Sequence, residues 1–197
     1  FMLAGAAVLL ALLSYRPTDP SWNTATAGPV ANWMGLPGAW TADLLLQTIG
    51  YAGLLFGLAA VIWGLRIFAR HAMPPLWARL CTVILAVLLA AVALARIGVP
   101  EGLVFSSLGG SGGLLLLNSA GGLLQPLLPA AAHTAVAVPA ALGAGVLFLH
   151  VAGVTRSEIV EAFFMAGRLI RAAGAQVLYV FGRFVEWVQH YNDPDYE

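Results

Sequence analysis

Long apolar runs alternate along this chain with short segments that carry charges or prolines. Residues 1–15, 43–65, 79–97 and 133–155 each hold such a run, charge-free except at its ends. All but the first are close to the roughly 20 residues that a helix needs to cross a hydrocarbon core of about 30 Å. The pattern therefore predicts an all-α integral membrane protein with four transmembrane helices.

Two segments between these runs have a different composition. Residues 16–41 contain four prolines and three tryptophans, which excludes one continuous helix and favours a membrane–water interface. We expect an ordered outer loop, with Thr41 and Asp43 at the start of the second span. Its candidate residues are Asp19, Pro20, Trp22, Trp33, Trp40 and Asp43.

The segment 111–128 precedes the last apolar run. It combines glycine pairs with Asn118, Gln125 and Pro126, which makes a poor lipid-facing helix. We expect an interfacial or re-entrant segment rather than a fifth span.

Residues 156–190 predict a helix with two faces. At 100° per residue its arginines fall on one side and its large apolar residues on the other. This favours a helix lying on the inner membrane surface, and packing against another protein is the alternative. The candidate surface residues are Arg168, Arg171, Arg183, Phe181 and Phe184. Residues 191–197 are expected to begin a linker.

Composition narrows the classes of protein further. Hydrophobic residues make up 60% of the chain and charged residues 9%, against about 25% charged residues in soluble domains. So few charges cannot cover so much apolar surface in water, which excludes the soluble classes. The net charge is zero, so no basic surface is expected for nucleic acid. The chain contains no lysine, which excludes a P-loop, and we expect no catalytic, cofactor or metal site.

Arginine placement predicts the orientation. Four spans with an inner N-terminus give seven arginines on the inner side and two on the outer side, as the positive-inside rule requires. Both termini are therefore expected in the cytoplasm. The inner connector arginines are Arg66, Arg70 and Arg79.

Small residues predict where helices approach each other. Without a hydrophobic driving force in lipid, small side chains let helix backbones touch. The candidates are Gly50, Gly53, Gly57, Gly64, Ala141 and Gly145. Packing within the chain is expected first, and contact between subunits of a homo-oligomer is the alternative.

Three motifs lie in the first loop and second span. They are Ser14-Tyr15-x-Pro17-x-Asp19-Pro20-Ser21, Asn32-Trp33-x-Gly35 and Gly38-Ala39-x-x-Ala42-Asp43-Leu44-Leu45. With these motifs the chain resembles the four-helix N-terminal domain of FtsK-type DNA translocases. The span number, the basic second connector and the glycine-rich third connector agree with this resemblance, whereas Arg16 departs from the family pattern.

The resemblance implies a protein of the bacterial inner membrane at the division septum. The family's membrane domain helps to assemble the division machinery, and a distant C-terminal ring ATPase, which needs ATP and Mg²⁺, pumps DNA. This chain would be the anchor and not an enzyme itself. Its expected partners are the lipid bilayer and other membrane proteins of the division machinery, with no nucleic acid bound by this segment.

Two other functions remain as hypotheses from the sequence. A small membrane transporter or channel subunit would be built on residues 102–130. An intramembrane protease would use Ser111 as its nucleophile.

Overall fold

The computed structural model describes residues 1–22, 24, 26, 28–70, 75–99, 106–154 and 156–191. Its helices are α1 (Met2–Leu13), α2 (Gly35–Thr48), α3 (Leu54–Phe68), α4 (Leu76–Leu94), α5 (Gly110–Leu124), α6 (Ala132–Ala152) and α7 (Arg156–Tyr191), with a 3-10 turn at Gly50–Gly53. Every regular element in these residues is helical, which confirms the all-α fold class. The chain forms two compact units, Phe1–Gly153 with α1 to α6 and Val154–Glu197 with α7.

Three helical segments are long and apolar enough to cross a membrane. They are Gly50–Phe68, Leu76–Leu94 and Ala132–Ala152. A helix of 19 residues is about 29 Å long, close to the thickness of a hydrocarbon core. Only 33%, 33% and 28% of the residues in their most apolar windows are buried within the chain, so most of these residues keep some of their surface exposed, as a lipid-facing helix would. α1 is equally apolar but has 12 residues.

The interior of the first unit is built largely from alanine and glycine. Ala59, Ala91 and Ala140 are almost fully buried, where soluble proteins more often place leucine or phenylalanine. α1 runs antiparallel to α3, and a Cβ atom on Gly5 would stand 2.6 Å from the carbonyl oxygen of Gly57. Close backbone contact therefore holds these helices together, as expected in lipid.

The second apolar run differs from the single helix expected over 43–65. α2 already begins at Gly35, and Pro37 is its third residue. Proline is tolerated there because backbone amides in the first turn of a helix have no acceptor within the helix. Regular α-helix stops at Thr48 and resumes at Leu54. Thr41 and Asp43 therefore lie inside α2 and cannot cap it.

The other helix bounds differ less from expectation. α4 starts at Leu76, three residues before the expected start, so that Arg79 lies one turn inside the helix. α6 ends at Ala152 and is followed by Gly153, which has the left-handed conformation (φ 68°) typical of the residue after a helix. The segment 111–128 holds all of α5 except its first residue, Gly110. α7 extends to Tyr191, and the rest of the expected linker lies outside the described residues.

Candidate functional site at the loop end of the bundle

The first unit has two ends with different chemistry. We call the end where residues 14–34 join α1 to α2 the loop end. The opposite end, where α3 finishes and α4 starts, is the connector end. α6 finishes at the connector end, because side chains of both α3 and α4 contact its Val151.

Two loop side chains hold the loop onto the C-terminal turn of α1. Ser14 donates its hydroxyl to the carbonyl oxygen of Leu10 at 2.6 Å and accepts the backbone amide of Trp33 at 3.0 Å. Asn32 donates its side-chain amide to the carbonyl oxygen of Ala11 at 2.8 Å. The Asn32 bond satisfies a carbonyl group in the last turn of α1, whereas the Leu10 carbonyl also accepts the backbone amide of Ser14. Together these bonds fix where the loop returns to α2.

Asp19 closes the loop on itself. Its carboxylate is 4% exposed, and Oδ1 accepts the backbone amide of Ala31 at 2.9 Å. Oδ2 is buried and has no hydrogen-bond partner within the described part of the chain. Pro20, the next residue, is half-buried. The acidic residue expected in the outer loop is therefore interior to it.

Asp43 connects α2 to the start of the loop. It is 3% exposed, and its Oδ1 accepts the Tyr15 hydroxyl at 3.1 Å and the Gln47 side-chain amide at 2.8 Å. Burial, and then the nearby Asp43 carboxylate, raise the pKa of Tyr15 well above its ordinary range. Asp43 therefore positions Tyr15 by a hydrogen bond and does not serve as a charge at the helix start.

Glycine brings α2 and α5 end to end. Gly50 has a positive φ of 62°, and a Cβ atom there would collide with the carbonyl oxygen of Leu108. The same Cβ would stand 2.6 Å from the amide nitrogen of Gly110, the first residue of α5. Ser111 donates its hydroxyl to the carbonyl oxygen of Gln47 at 2.7 Å. Ser111, at the start of α5, thus provides a hydrogen-bond donor for one backbone carbonyl group in the last turn of α2.

Three tryptophans lie at the surface of the loop end. Trp22 and Trp33 are 82% and 72% exposed, and Trp40 is 41% exposed. The rings of Trp22 and Trp40 meet edge to face, with centroids 5.9 Å apart. Amphipathic rings of this kind favour the depth of lipid headgroups.

The connector end concentrates cationic side chains. Trp63 Nε1 and Arg79 Nη1 both donate to the carbonyl oxygen of Val151, at 2.9 Å and 3.3 Å. Arg66 lies beside Gly153, and Arg70 is exposed. Arg79 is only 6% exposed, which differs from the expected membrane-surface position. The reason is its place in the first turn of α4, where it faces the negative C-terminal end of α6.

The candidate packing glycines of the second apolar run contact other helices in different ways. Gly57 meets α1, because a Cβ atom there would stand 2.7 Å from Leu9. Gly64 lies against Met2 in the same interface. Gly53 has only ordinary contacts, the nearest at 3.4 Å.

The candidate packing pair of α6, Ala141 and Gly145, points away from the rest of the unit. Both residues are exposed, and a Cβ atom on Gly145 would meet nothing within 4 Å. The buried stripe of α6 lies one residue earlier, at Ala137, Ala140 and Ala144. The small-residue spacing was right, but its register on the helix is shifted by one position.

The second unit exposes every candidate residue described there. The side chains of Arg168, Arg171 and Arg183 are exposed. Phe181 and Phe184 are 63% and 56% exposed. α7 therefore presents both large apolar and cationic side chains at its surface.

The chemistry of these sites is structural. No group of three His, Cys, Asp or Glu side chains in the described residues could hold a metal ion. The chain also contains no lysine for a phosphate-binding loop.

Several anchoring residues were not predicted from the sequence. Tyr15, Ser14 and Asn32 lie in the motifs that carry the resemblance, but no role was assigned to them. One signal could have found them: polar side chains directly after an apolar helix must satisfy its terminal carbonyls. Ser111 offered no such signal, because its acceptor lies 64 positions away in the sequence.

Comparison with known proteins places these features in a family. A model of the 4TM region of DNA translocase FtsK/SpoIIIE matches residues 1–163. No solved structure gives a significant match.

Two curated relatives illustrate the similarity. The DNA translocase FtsK of Azospirillum brasilense is 36% identical over 125 residues, covering 62% of this chain and 20% of the relative. The DNA translocase FtsK of Rickettsia prowazekii is 31% identical over 117 residues, covering 59% of this chain and 15% of the relative. The chain thus spans at most about a fifth of the length of these relatives.

Proposed function

Because this chain belongs to the family of 4TM regions of FtsK/SpoIIIE DNA translocases, we propose that it is a membrane anchor that helps to assemble the bacterial division machinery. The family match over residues 1–163 carries this proposal and confirms the resemblance seen in residues 12–53. The activity named for the relatives, DNA translocation, belongs in this proposal to parts of a longer protein. The anchor would hold that motor at the inner membrane.

The charge distribution supports an orientation for the anchor. Arg66 and Arg79 lie at the connector end, whereas Asp19 and Asp43 lie at the loop end. The positive-inside rule then assigns the connector end and both termini to the cytoplasm. The exposed tryptophans at the loop end suit the outer headgroup layer.

Labelling of single cysteines tests this orientation. The native Cys81, which is exposed, is first replaced by serine. Arg16→Cys and Arg183→Cys are then treated in intact cells with a membrane-impermeant maleimide; both positions are exposed. We expect labelling at position 16, and at position 183 only after permeabilisation. Labelling of both positions from the same side would contradict the four-span orientation.

The geometry of α5 supports a segment that does not cross the bilayer. Its first residue, Gly110, contacts Gly50 at the loop end. Near its other end Gly121 contacts His133 in the first turn of α6, and α6 runs from there to the connector end. Both ends of α5 therefore belong near the loop end.

The two faces of α5 agree with that placement. Gly110, Gly113 and Gly121 are buried, whereas Leu115 and Leu123 are 66% and 81% exposed. Glycine thus allows close contact with the bundle, and the exposed leucines suit contact with acyl chains. We infer that α5 is an interfacial or re-entrant segment on the outer side that does not cross the bilayer.

Septal targeting tests the division role itself. Residues 1–197 are fused to a fluorescent protein and imaged in dividing bacterial cells. We expect enrichment at the division septum relative to an unrelated polytopic membrane protein with the same fluorescent tag. Uniform membrane fluorescence, at equal expression, would remove the division role and leave only an anchor.

A further inference from the structure

α7 repeats its apolar residues with a period of seven. The first set is Phe163, Ile170, Val177 and Phe184, and the second set is Ile159, Ala166, Ala173, Val180 and Trp187. The second set falls three residues after each first-set position, so that all nine positions from 159 to 187 are apolar. This is the spacing of coiled-coil positions a and d over four heptads.

A strict seven-residue repeat favours another helix over a flat surface. A straight α-helix drifts by about 20° per heptad relative to a 3.5-residue repeat. Over 159–187 the seam therefore moves around α7 by about 80°. A planar membrane surface needs its apolar residues at a constant angle, whereas a partner helix follows a drifting seam by supercoiling.

Three described side chains of this seam, together with the neighbouring Phe181, surround a shallow concavity on the surface of α7. Val177, Val180, Phe181 and Phe184 line one surface concavity, with Gln176 at its edge. These four residues have the spacing i, i+3, i+4 and i+7. In a parallel coiled coil, four residues at this spacing form the hole that receives one d-position side chain of the facing helix.

The net charge of α7 also favours a partner helix over a lipid surface. Between residues 156 and 191 the chain has four arginines and three glutamates, a net charge of only +1 by that count. Helices held on anionic lipid carry a clear cationic excess on their polar face. α7 has broad apolar surface but lacks that excess, so burial against protein is the better match.

We propose that α7 pairs in parallel with α7 of a second copy of this chain, along the seam formed by the two heptad sets. Two copies inserted in one membrane in the same orientation begin this helix on the same side, which favours the parallel arrangement. Val180 of each copy then enters the concavity of the other. The pairing itself uses only α7 and its own sequence, whereas the parallel arrangement rests on the proposed function as a membrane anchor.

Cysteine crosslinking of the full chain tests the seam. Four adjacent residues offer matched positions, because Val177, Leu178, Tyr179 and Val180 are 68%, 72%, 71% and 62% exposed. Each is replaced by cysteine in the Cys81→Ser background, and isolated membranes are treated with a mild oxidant. A disulfide requires Cα atoms within about 7 Å, so we expect about tenfold more crosslinked dimer at 177 and 180 than at 178 and 179.

Each other outcome has a definite meaning. Equal crosslinking at all four positions would show random collision and would overturn the seam. No crosslinking at any position, with equal amounts of inserted chain, would overturn pairing and favour a lipid surface or a different protein. Crosslinking at 178 and 179 alone would place a helix partner on the opposite face and would overturn the proposal as well.

Discussion

The two ends of the helix bundle use different side chains to satisfy the backbone groups at helix ends. Each must satisfy backbone groups at helix ends in surroundings with little water. The loop end uses short neutral and acidic side chains that bind backbone groups, such as Ser14 and Asp19, together with glycines at backbone crossings. The connector end brings Arg79 and Trp63 to one carbonyl oxygen of α6.

This difference separates charge along the bundle. Acidic groups are buried at the loop end, where they order an irregular segment. Arg66, Arg70 and Arg79 lie at the connector end, where Arg79 faces the C-terminal end of α6. Arg16 lies in the loop at the other end, so the separation of charge is partial.

The largest expected effect comes from the glycine crossing at the loop end. Gly50→Ala adds a Cβ atom at a positive φ and against the Leu108 carbonyl oxygen, which neither backbone can avoid. We expect a loss of about 2–5 kcal/mol in the free energy of unfolding. The measurement is unfolding in detergent followed by circular dichroism.

A second glycine in the same part of the molecule provides the control. A Cβ atom on Gly122 in α5 would meet nothing within 4 Å. Gly122→Ala should therefore be neutral or slightly stabilising. Equal stability of the Gly50 and Gly122 variants would show that the crossing does not hold the loop end together.

A smaller effect is expected at the connector end. Arg79→Met removes one donor to the Val151 carbonyl oxygen and leaves the Trp63 donor in place, so we expect a loss of about 1–3 kcal/mol. Arg96→Met, at an exposed arginine beyond the end of α4, should change stability by less than about 0.5 kcal/mol.

A double-mutant cycle sharpens this prediction. Trp63→Phe combined with Arg79→Met should cost more than the sum of the single changes, because each single variant keeps the other donor. The expected coupling is about 0.5–2 kcal/mol. Additive losses would mean that the two side chains do not share an acceptor.

The smallest effect concerns the pH dependence of the loop end. Folding raises the pKa of Tyr15 above its ordinary value of 10.0, chiefly through burial and then through Asp43. A raised pKa means that the stability contribution is complete below pH 10 and declines as the pH rises beyond it. The chain should therefore lose stability above pH 10 more steeply than Tyr15→Phe does.

Thermal unfolding from pH 8 to 11.5 measures this difference. The variant lacks the ionisable hydroxyl, so the gap between the two chains should narrow as the pH rises. A constant gap over that range would mean that Tyr15 ionises as freely in the folded chain as in water.

The sequence predicted some parts of the loop end and not others. The three tryptophans and the acidic residues were found, because prolines and composition mark a loop by themselves. The break in the second apolar run was missed, since residues 44–65 carry no charge and nothing local demands an interruption. A side chain at position 50 is excluded because Leu108, far away in the sequence, occupies the space that a Cβ atom would need.

For Arg79 and for α6 as well, packing against other helices decides which side chains are buried. An arginine beside a proline-rich connector predicts a surface position, yet a helix start three residues earlier buries it against α6. The pair Ala141 and Gly145 has the right spacing for packing, but alanines one position earlier face α4 and α5. The spacing of small residues indicates that a helix has a packing face. Which positions form that face depends on the helices that pack against it.

The sequence by itself determined the all-α membrane class, the family and the approximate location of the apolar helices, because hydrophobicity, charge and proline act locally. Tertiary structure alone decided which polar side chains anchor the loop, where the second apolar run breaks, and which small residues touch. Those outcomes depend on atoms brought together from distant parts of the chain, and no local pattern encodes a steric contact with a distant carbonyl group.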